Sequence, residues 1–198
     1  RRLLDELATD KDKQAAQVIQ LLLFTGARKS EILAARWENI DMKRRILTVP
    51  LSKSGKARHI PLSDAALRVL AELSRKSEWL FPSSRTDTHI GTIYDAWDRV
   101  RERAGLKDVR LHDLRHSFAS FLVNSGCSLY EVQKILGHQN PKVTTRYAHL
   151  AQESLLRAAN LVGKKLGEKR EKDIEAENLL VIKLIKGLYT DRIKYFLK

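Results

Sequence analysis

The chain of 198 residues has a single cysteine and a single methionine, and it has no long apolar stretch. One cysteine, Cys127, excludes a disulfide within the chain and suits a reducing cytosol. No stretch approaches the roughly 20 apolar residues of a membrane span, and no signal-peptide pattern opens the chain. We therefore expect a soluble, cytoplasmic protein without a membrane partner. Because the only methionine is Met42 and the first residue is Arg1, we expect the sequence to begin inside a longer natural protein.

Acidic residues are few relative to basic ones. The chain has 37 Lys and Arg residues against 24 Asp and Glu residues, which gives a formal net charge of +13. Such an excess favours a polyanionic partner, with nucleic acid ahead of a membrane surface. The plainer interpretation is that a basic surface keeps the protein soluble. With 43% hydrophobic residues, the chain is long enough for one well-buried domain and an appended segment.

The first half of the chain places a basic side chain at a predicted helix junction. Apolar spacing predicts a helix over residues 12–24 that ends at Gly26, and a second short helix begins close to Arg28. A guanidinium held there and aimed into a cleft suits bidentate binding of phosphate. Glu31 is spaced to orient it. The alternative interpretation is a surface Arg–Glu pair at helical spacing.

A change of pattern then predicts a small antiparallel sheet within a mainly α-helical domain. Two β-branched and apolar runs, residues 46–49 and 58–62, flank the turn signal Lys53-Ser54-Gly55-Lys56. Lys53 lies near the tip of this hairpin, where a lysine is usually just solvated. A flexible ammonium that reaches into a groove can also donate a proton to a leaving oxygen.

The densest group of chemically capable side chains lies between residues 112 and 147. His112 and Arg115 are three residues apart, which places them on one face of a predicted helix. A second helix delivers His138 at its C-terminal turn, and Tyr147 falls near the end of a third. Helix hairpins this short pack side by side, so we expect one cleft to collect all four side chains. The apolar face of the first helix is assigned to Phe118, Ala119, Phe121 and Leu122.

These motifs, in this order, resemble the catalytic domain of the tyrosine recombinase or phage integrase family. The matching motifs are Thr25-Gly26-x-Arg28-x-x-Glu31, Lys53 before Ser54-Gly55-Lys56, His112-x-x-Arg115-His116, Leu136-Gly137-His138, and Tyr147 nine residues after His138. The resemblance covers roughly residues 14–161. It implies a mainly α fold with a small antiparallel sheet, and an enzyme that cuts and rejoins double-stranded DNA without a metal or other cofactor.

The resemblance also implies an organisation of the chain. Residues 1–166 would form the catalytic domain, and residues 167–198 a charged, helical tail, a segment that this family commonly passes to a neighbouring protomer. The family's N-terminal core-binding domain would lie outside this chain. Four subunits would assemble on DNA in a synapse.

The residue roles follow from the resemblance and from their chemistry. Arg28 and Arg115 would hold the non-bridging phosphate oxygens, and His138 would add a hydrogen bond to them. Tyr147 would be the nucleophile that forms a 3′-phosphotyrosyl link. The remaining expected roles are proton transfer near the attacking oxygen for His112, protonation of the leaving 5′-oxygen for Lys53, orientation of Arg28 for Glu31, and packing behind the site for His116.

Three other interpretations are open at this point. A zinc hydrolase is suggested by His112 and His116 at metal-ligand spacing, although no Glu lies in the usual second position and Arg115 would oppose a dication. A type IB topoisomerase would use similar chemistry to relax supercoils. A catalytically silent DNA-binding protein would lose no activity in Tyr147→Phe.

Overall fold

The computed structural model describes residues 1–50, 57–138, 140–151, 155, 156, 158–165 and 179. These residues belong to two compact units, of which the first ends at Ala151 and contains every element named below. In the second unit, residues 155, 156 and 158–165 are helical. Lys53 lies outside the described residues, as does the predicted tail except for residue 179. In the described part of the chain, every helix is too short or too polar to span a bilayer.

The described residues of the first unit form eight α-helices and a three-stranded sheet. The helices are α1 (Arg2–Thr9), α2 (Lys13–Thr25), α3 (Lys29–Leu33), α4 (Asp64–Ala71), α5 (Tyr94–Arg103), α6 (Asp113–Asn124), α7 (Leu129–Leu136) and α8 (Pro141–Thr145). The strands are β1 (Ile40–Asp41), β2 (Ile46–Val49) and β3 (Arg58–Pro61). Short 3-10 turns cover Trp37–Asn39 and Ala148–Ala151. Helix α1 precedes the first predicted helix and was not expected from the sequence.

The first unit has two hydrophobic cores. Helix α2 lies at the centre of the larger one and contacts α1, α4, α5 and α6. The Asp12 carboxylate caps its first turn by accepting from the Ala15 N–H at 3.0 Å. Gly26 ends it in the left-handed conformation, with φ 61°, as predicted. A β-carbon at Gly26 would stand 2.3 Å from the Phe118 ring, so only glycine lets α2 end this close to α6.

The sheet is antiparallel in the order β1-β2-β3, which confirms the predicted pairing and adds β1 to it. Strands β2 and β3 pair Leu47 with Ile60 and Val49 with Arg58. Alternation along β3 buries Ile60 and Arg58 on one face and exposes the residues between and beyond them. The strand therefore carries a charged side chain inward.

A second, smaller core joins α6 and α7 to the segment after α8. Its buried members are Ala119, Val123, Val132, Leu136 and Tyr147. The assignment of Phe121 to this face is wrong, because its side chain is 65% exposed. At about 100° per residue, Phe121 points roughly 200° away from Ala119 and from Val123 and thus toward solvent. Ser128 and Glu131 form the capping box that starts α7.

Candidate active site

Tyr147 lies two residues beyond α8, with its ring buried in the smaller core and only 5% exposed. Its hydroxyl is 2.6 Å from Nδ1 of His116, within hydrogen-bond distance. Burial raises the pKa of the Tyr147 hydroxyl, although Arg146 and Arg115 act in the opposite direction. The phenol is therefore protonated at neutral pH, and a ring nitrogen of His116 lies within hydrogen-bond distance of its oxygen.

His116 of α6 and His112, the N-cap residue of that helix, pack against each other near that hydroxyl. The His112 and His116 rings contact edge to face, with centroids 5.0 Å apart and planes at 88°. Burial, then His112, then Arg146 lower the pKa of His116, so its ring is neutral at neutral pH. In the tautomer with its proton on Nε2, the neutral ring can accept a hydrogen bond from the Tyr147 hydroxyl at Nδ1. The structure thus places His116 against the Tyr147 hydroxyl, where we expected His112. His112 instead contacts the His116 ring.

Arg115 is buried, with its guanidinium held by two main-chain carbonyls. Nη1 donates to the Gly26 carbonyl at 2.5 Å, and Nη2 donates to the Leu136 carbonyl at 2.7 Å. Burial, followed by the neighbouring Arg58 and Arg28, lowers the pKa of Arg115 to about 10. It remains a cation at neutral pH, with its plane fixed between the end of α2 and the end of α7.

Glu31 joins two arginines from different parts of the fold. Its Oε1 accepts from Nη1 of Arg28 at 2.8 Å, and its Oε2 accepts from the Arg28 main-chain N–H at 2.8 Å. The same Oε2 accepts from Nη1 of Arg58. Burial alone would raise the pKa of Glu31, but the hydrogen bonds and the Arg58 charge outweigh it and lower the pKa. Arg28 is the member of this group that keeps substantial solvent exposure.

Arg58 also lies in this region, although it belongs to none of the motifs described above. Beside its contact with Glu31, its Nη2 donates to the Ile135 carbonyl in the last turn of α7 at 2.8 Å. The alternation of residues along β3 could have indicated that Arg58 points inward, since it lies on the same face as Ile60. An arginine at an inward strand position is rarely buried unless it is paired.

His138 follows α7 after Gly137, which takes the left-handed conformation with φ 66°. Its Nδ1 is 3.0 Å from Oγ1 of Thr144, a buried α8 residue that also belongs to none of the predicted motifs. Burial, followed by the charges of Arg115, Arg28, Arg58 and Arg146, lowers the pKa of His138 to about 4. If the Thr144 hydroxyl donates to Nδ1, the neutral ring keeps its proton on Nε2 and can donate it to an anion.

The structure brings most of the predicted residues into one region. Three of them, Arg28, Arg115 and His138, lie where α2 and α7 end and α3 begins. Tyr147 contacts His116, which lies on α6 together with Arg115. Lys53 is outside the described residues. Guanidinium groups and a neutral imidazole can bind an anion, and a phenol beside a proton acceptor can act as a nucleophile. Among the described residues, no group of three or more His, Cys, Asp or Glu side chains is arranged to hold a metal ion.

Comparisons with known proteins identify relatives of this chain. A family model described as the phage integrase family matches residues 1–154. The integrase of Salmonella phage P22 is 33% identical over 177 residues, which cover 82% of this chain and 45% of that protein. Tyrosine recombinase XerC of Staphylococcus epidermidis is 36% identical over 148 residues, which cover 70% of this chain and 50% of XerC. The chain therefore spans about half the length of the curated relatives it matches.

A solved structure matches the fold directly. The catalytic domain of bacteriophage HP1 integrase superposes with a TM-score of 0.65 at 28% identity, covering 80% of this chain and 88% of that domain. This likeness confirms the predicted fold, a mainly α-helical tyrosine recombinase catalytic domain with a small antiparallel sheet. Together with the family model, which covers more than three quarters of the sequence, it shows that the chain belongs to the phage integrase family.

Proposed function

We propose that this protein is a site-specific DNA recombinase that cuts and rejoins strands through a 3′-phosphotyrosyl intermediate. The observation that carries the proposal is the Tyr147 hydroxyl, held 2.6 Å from a neutral His116 beside the anion site of Arg28, Arg115 and His138. The net charge of +13 supports double-stranded DNA as the partner. The names of the relatives, integrase and tyrosine recombinase, support strand exchange over relaxation by a topoisomerase.

The anion site would bind the scissile phosphate. Arg28 approaches from the more open side, and Arg115 from its fixed position between two carbonyls. Their charges stabilise the additional negative charge of a five-coordinate transition state, where positioned donors contribute most. His138 donates from Nε2 to a non-bridging oxygen. Because these donors are already held in place before DNA binds, little reorganisation is needed at the moment of reaction.

The cleavage step balances with the groups at hand. The Tyr147 oxygen attacks phosphorus while its proton moves to Nδ1 of His116, and a bond forms between the tyrosine oxygen and phosphorus. The bond from phosphorus to the 5′-oxygen breaks, and by family resemblance Lys53 supplies the proton to that oxygen. Since the phosphotyrosyl bond retains the energy of the broken bond, a free 5′-hydroxyl can reverse the step without ATP.

A nicked suicide substrate tests the function. The wild-type chain should form a covalent protein–DNA adduct that resists EDTA and is lost in Tyr147→Phe. An adduct that persists in Tyr147→Phe would contradict the assignment of the nucleophile. Strand cleavage that gives no adduct and stops in EDTA would instead favour the zinc hydrolase, and full activity of Tyr147→Phe in every assay would favour a silent DNA-binding protein.

The histidine pair tests the proton acceptor. His116→Gln should slow adduct formation by about a hundredfold, the usual scale of general-base catalysis, and His112→Gln should slow it less. His116 must be neutral to accept a proton, and its pKa is lowered from the ordinary value of 6.5. The wild-type rate should therefore fall only as the pH drops below 6.5. The fall should be weaker in His116→Gln. An equal effect of the two substitutions would contradict the role of His116.

By the same family likeness we propose the wider organisation. Residues 1–166 form the catalytic domain, residues 167–198 are a tail exchanged between protomers, and four subunits assemble on DNA in the cytoplasm. Sedimentation of the chain on its DNA site, with and without residues 167–198, tests the assembly. Assembly that is unchanged by removal of the tail would contradict the exchange.

A further inference from the structure

We infer that Arg58 is a positioning residue for strand cleavage, which holds the phosphate-binding Arg28 and the His138 end of α7 in fixed relation to each other. The inference rests on the proposed function. Arg58 would not touch DNA itself, and its effect would reach the phosphate through Glu31 on one side and through the α7 main chain on the other.

The first support is the burial and pairing of Arg58. Its side chain is 6% exposed, and its partner Glu31 is equally buried. Taking two charges out of water is costly, and the cost is recovered only when the pair keeps good geometry and other hydrogen bonds. Burial lowers the pKa of Arg58, while the charge of Glu31 raises it. Neither side chain can move independently without leaving the other as an unpaired buried charge.

The second support is that the pair links two separate parts of the site. Glu31 holds Arg28 by its guanidinium and by its main-chain N–H. On the other side, Arg58 donates to the Ile135 carbonyl, three residues before His138. Arg115 donates to the next carbonyl, that of Leu136. Two arginines thus bind successive carbonyls in the last turn of α7, where the helix dipole favours cations.

The third support is the fit between Arg58 and Gly137. A β-carbon at Gly137 would stand 2.5 Å from both Cδ and Nε of Arg58. The stem of Arg58 therefore lies directly on the backbone that leads from α7 to His138. Any side chain at position 137 must displace Arg58 or the turn itself. The contact therefore fixes the direction of the backbone between α7 and His138.

The exposure of the arginines separates positioning from binding. The Arg28 side chain is 30% exposed and has room for a phosphate oxygen, whereas the Arg58 side chain is enclosed and already paired. Losing Arg58 should therefore change the rate of cleavage on bound DNA more than the affinity for DNA. Displacing a reacting group by about 1 Å commonly costs on the order of a hundredfold in rate.

The principal variant is Arg58→Lys. A lysine keeps the charge but has one compact ammonium, which cannot reproduce the geometry of a guanidinium that binds Glu31 and the Ile135 carbonyl together. At saturating nicked DNA, we expect single-turnover adduct formation to slow by about tenfold to a hundredfold. The dissociation constant for DNA, and its dependence on salt, should stay within about twofold of wild type.

Two glycine variants supply a matched test. Gly137 and Gly105 both have positive φ, 66° and 72°, so alanine carries a similar backbone strain at each position. Only at Gly137 would the added carbon strike Arg58, since the nearest atom at Gly105 is 4.0 Å away. Gly137→Ala should slow cleavage as Arg58→Lys does. Gly105→Ala should leave cleavage per folded molecule unchanged.

The His138 ring provides a readout that does not depend on activity. In NMR spectra of the full chain, its side-chain resonances should shift in Arg58→Lys and in Gly137→Ala but not in Gly105→Ala. Unchanged His138 resonances in a folded Arg58→Lys variant, or an unchanged cleavage rate, would overturn the inference. Weaker DNA binding with a smaller salt dependence would also overturn it, by showing that Arg58 contacts phosphate. A wild-type chain that forms no adduct would refute the proposed function, and the His138 shifts would still decide the position of Arg58.

Discussion

Two buried carboxylates in this molecule are each held between two arginines, and they act in different ways. In the Asp10 cluster, Asp10 accepts from Nη2 of Arg99 at 3.2 Å and from Nη2 of Arg103 at 2.9 Å. In the Glu31 cluster, Glu31 accepts from Arg28 and Arg58. Both carboxylates have a lowered pKa because hydrogen bonds and cationic partners outweigh the opposing effect of burial.

The partners show the difference between the clusters. Both arginines of the Asp10 cluster come from α5 and are 34% and 40% exposed. That cluster fastens the turn between α1 and α2 to α5. In the Glu31 cluster, one arginine is enclosed and the other faces outward, and the enclosed one continues to the end of α7. The same ion-pair chemistry therefore stabilises the fold in the Asp10 cluster. In the Glu31 cluster it also holds Arg28 and the end of α7 in place.

Glu31→Gln should have the largest effect in this comparison. A glutamine leaves Arg58 buried without a counter-ion, beside Arg28 and Arg115, and breaking a buried pair in this way costs about 3 kcal/mol or more. We expect the free energy of unfolding in urea to fall by that amount. Adduct formation per folded molecule should fall by at least about a hundredfold, because Arg28 also loses its orienting partner.

The control for this substitution is Glu31→Asp, which keeps the charge on a shorter side chain. It should retain more stability than Glu31→Gln and still cleave slowly, since it cannot reach both arginines. Wild-type cleavage by a folded Glu31→Gln variant would show that the two clusters are alike and that neither positions the site.

The sequence predicted the local parts of this site better than the contacts between them. Helix α2, its end at Gly26 and the places of Arg28 and His138 follow from periodicity and capping residues, which act over a few positions. The role of Arg58 could not be predicted in this way. It depends on partners 27 and 77 residues away in the chain, and no spacing rule reports which distant elements meet.

The histidines illustrate the same limit at shorter range. His116 lies in α6 and His112 is the N-cap residue of that helix, and helical spacing alone does not show which of them meets a tyrosine 31 residues beyond His116. The choice depends on how α6 packs on the segment after α8. Thr144 was missed for a similar reason, because a threonine in a short helix has no pattern that marks it as the partner of His138.

Asp10→Asn should have an intermediate effect, on stability alone. The pKa of Asp10 is lowered from 3.8 to about 2: burial acts to raise it, but hydrogen bonds from the Asp12 N–H, Arg103 and Arg99 outweigh burial. The ionised carboxylate therefore contributes roughly 2 kcal/mol that is fully present above pH 3.8 and is lost as pH falls through about 2. Cleavage per folded molecule at neutral pH should match wild type.

Urea unfolding of wild type and Asp10→Asn at a series of pH values measures this effect. The difference in unfolding free energy should be constant from neutral pH to about pH 4 and should shrink below it. A difference that does not change with pH would show that the carboxylate charge is not what stabilises this cluster. Slower cleavage by the folded variant would show that the Asp10 cluster also acts on the site.

Arg99→Ala should have the smallest effect and is the sharpest comparison with Arg58. Each substitution removes one arginine from a buried carboxylate, but Asp10 keeps Arg103 at 2.9 Å, and the Arg99 side chain is partly solvated. Pairs with this exposure typically contribute less than about 1 kcal/mol, so the unfolding midpoint should fall by no more than about 4 °C. Cleavage per folded molecule should be unchanged, because Arg99 contacts Asp10 at the turn between α1 and α2, whereas Arg58 contacts the end of α7 just before His138. A fall in the cleavage rate of Arg99→Ala would contradict this distinction, since the cost of losing an arginine would then not depend on where its contacts lead.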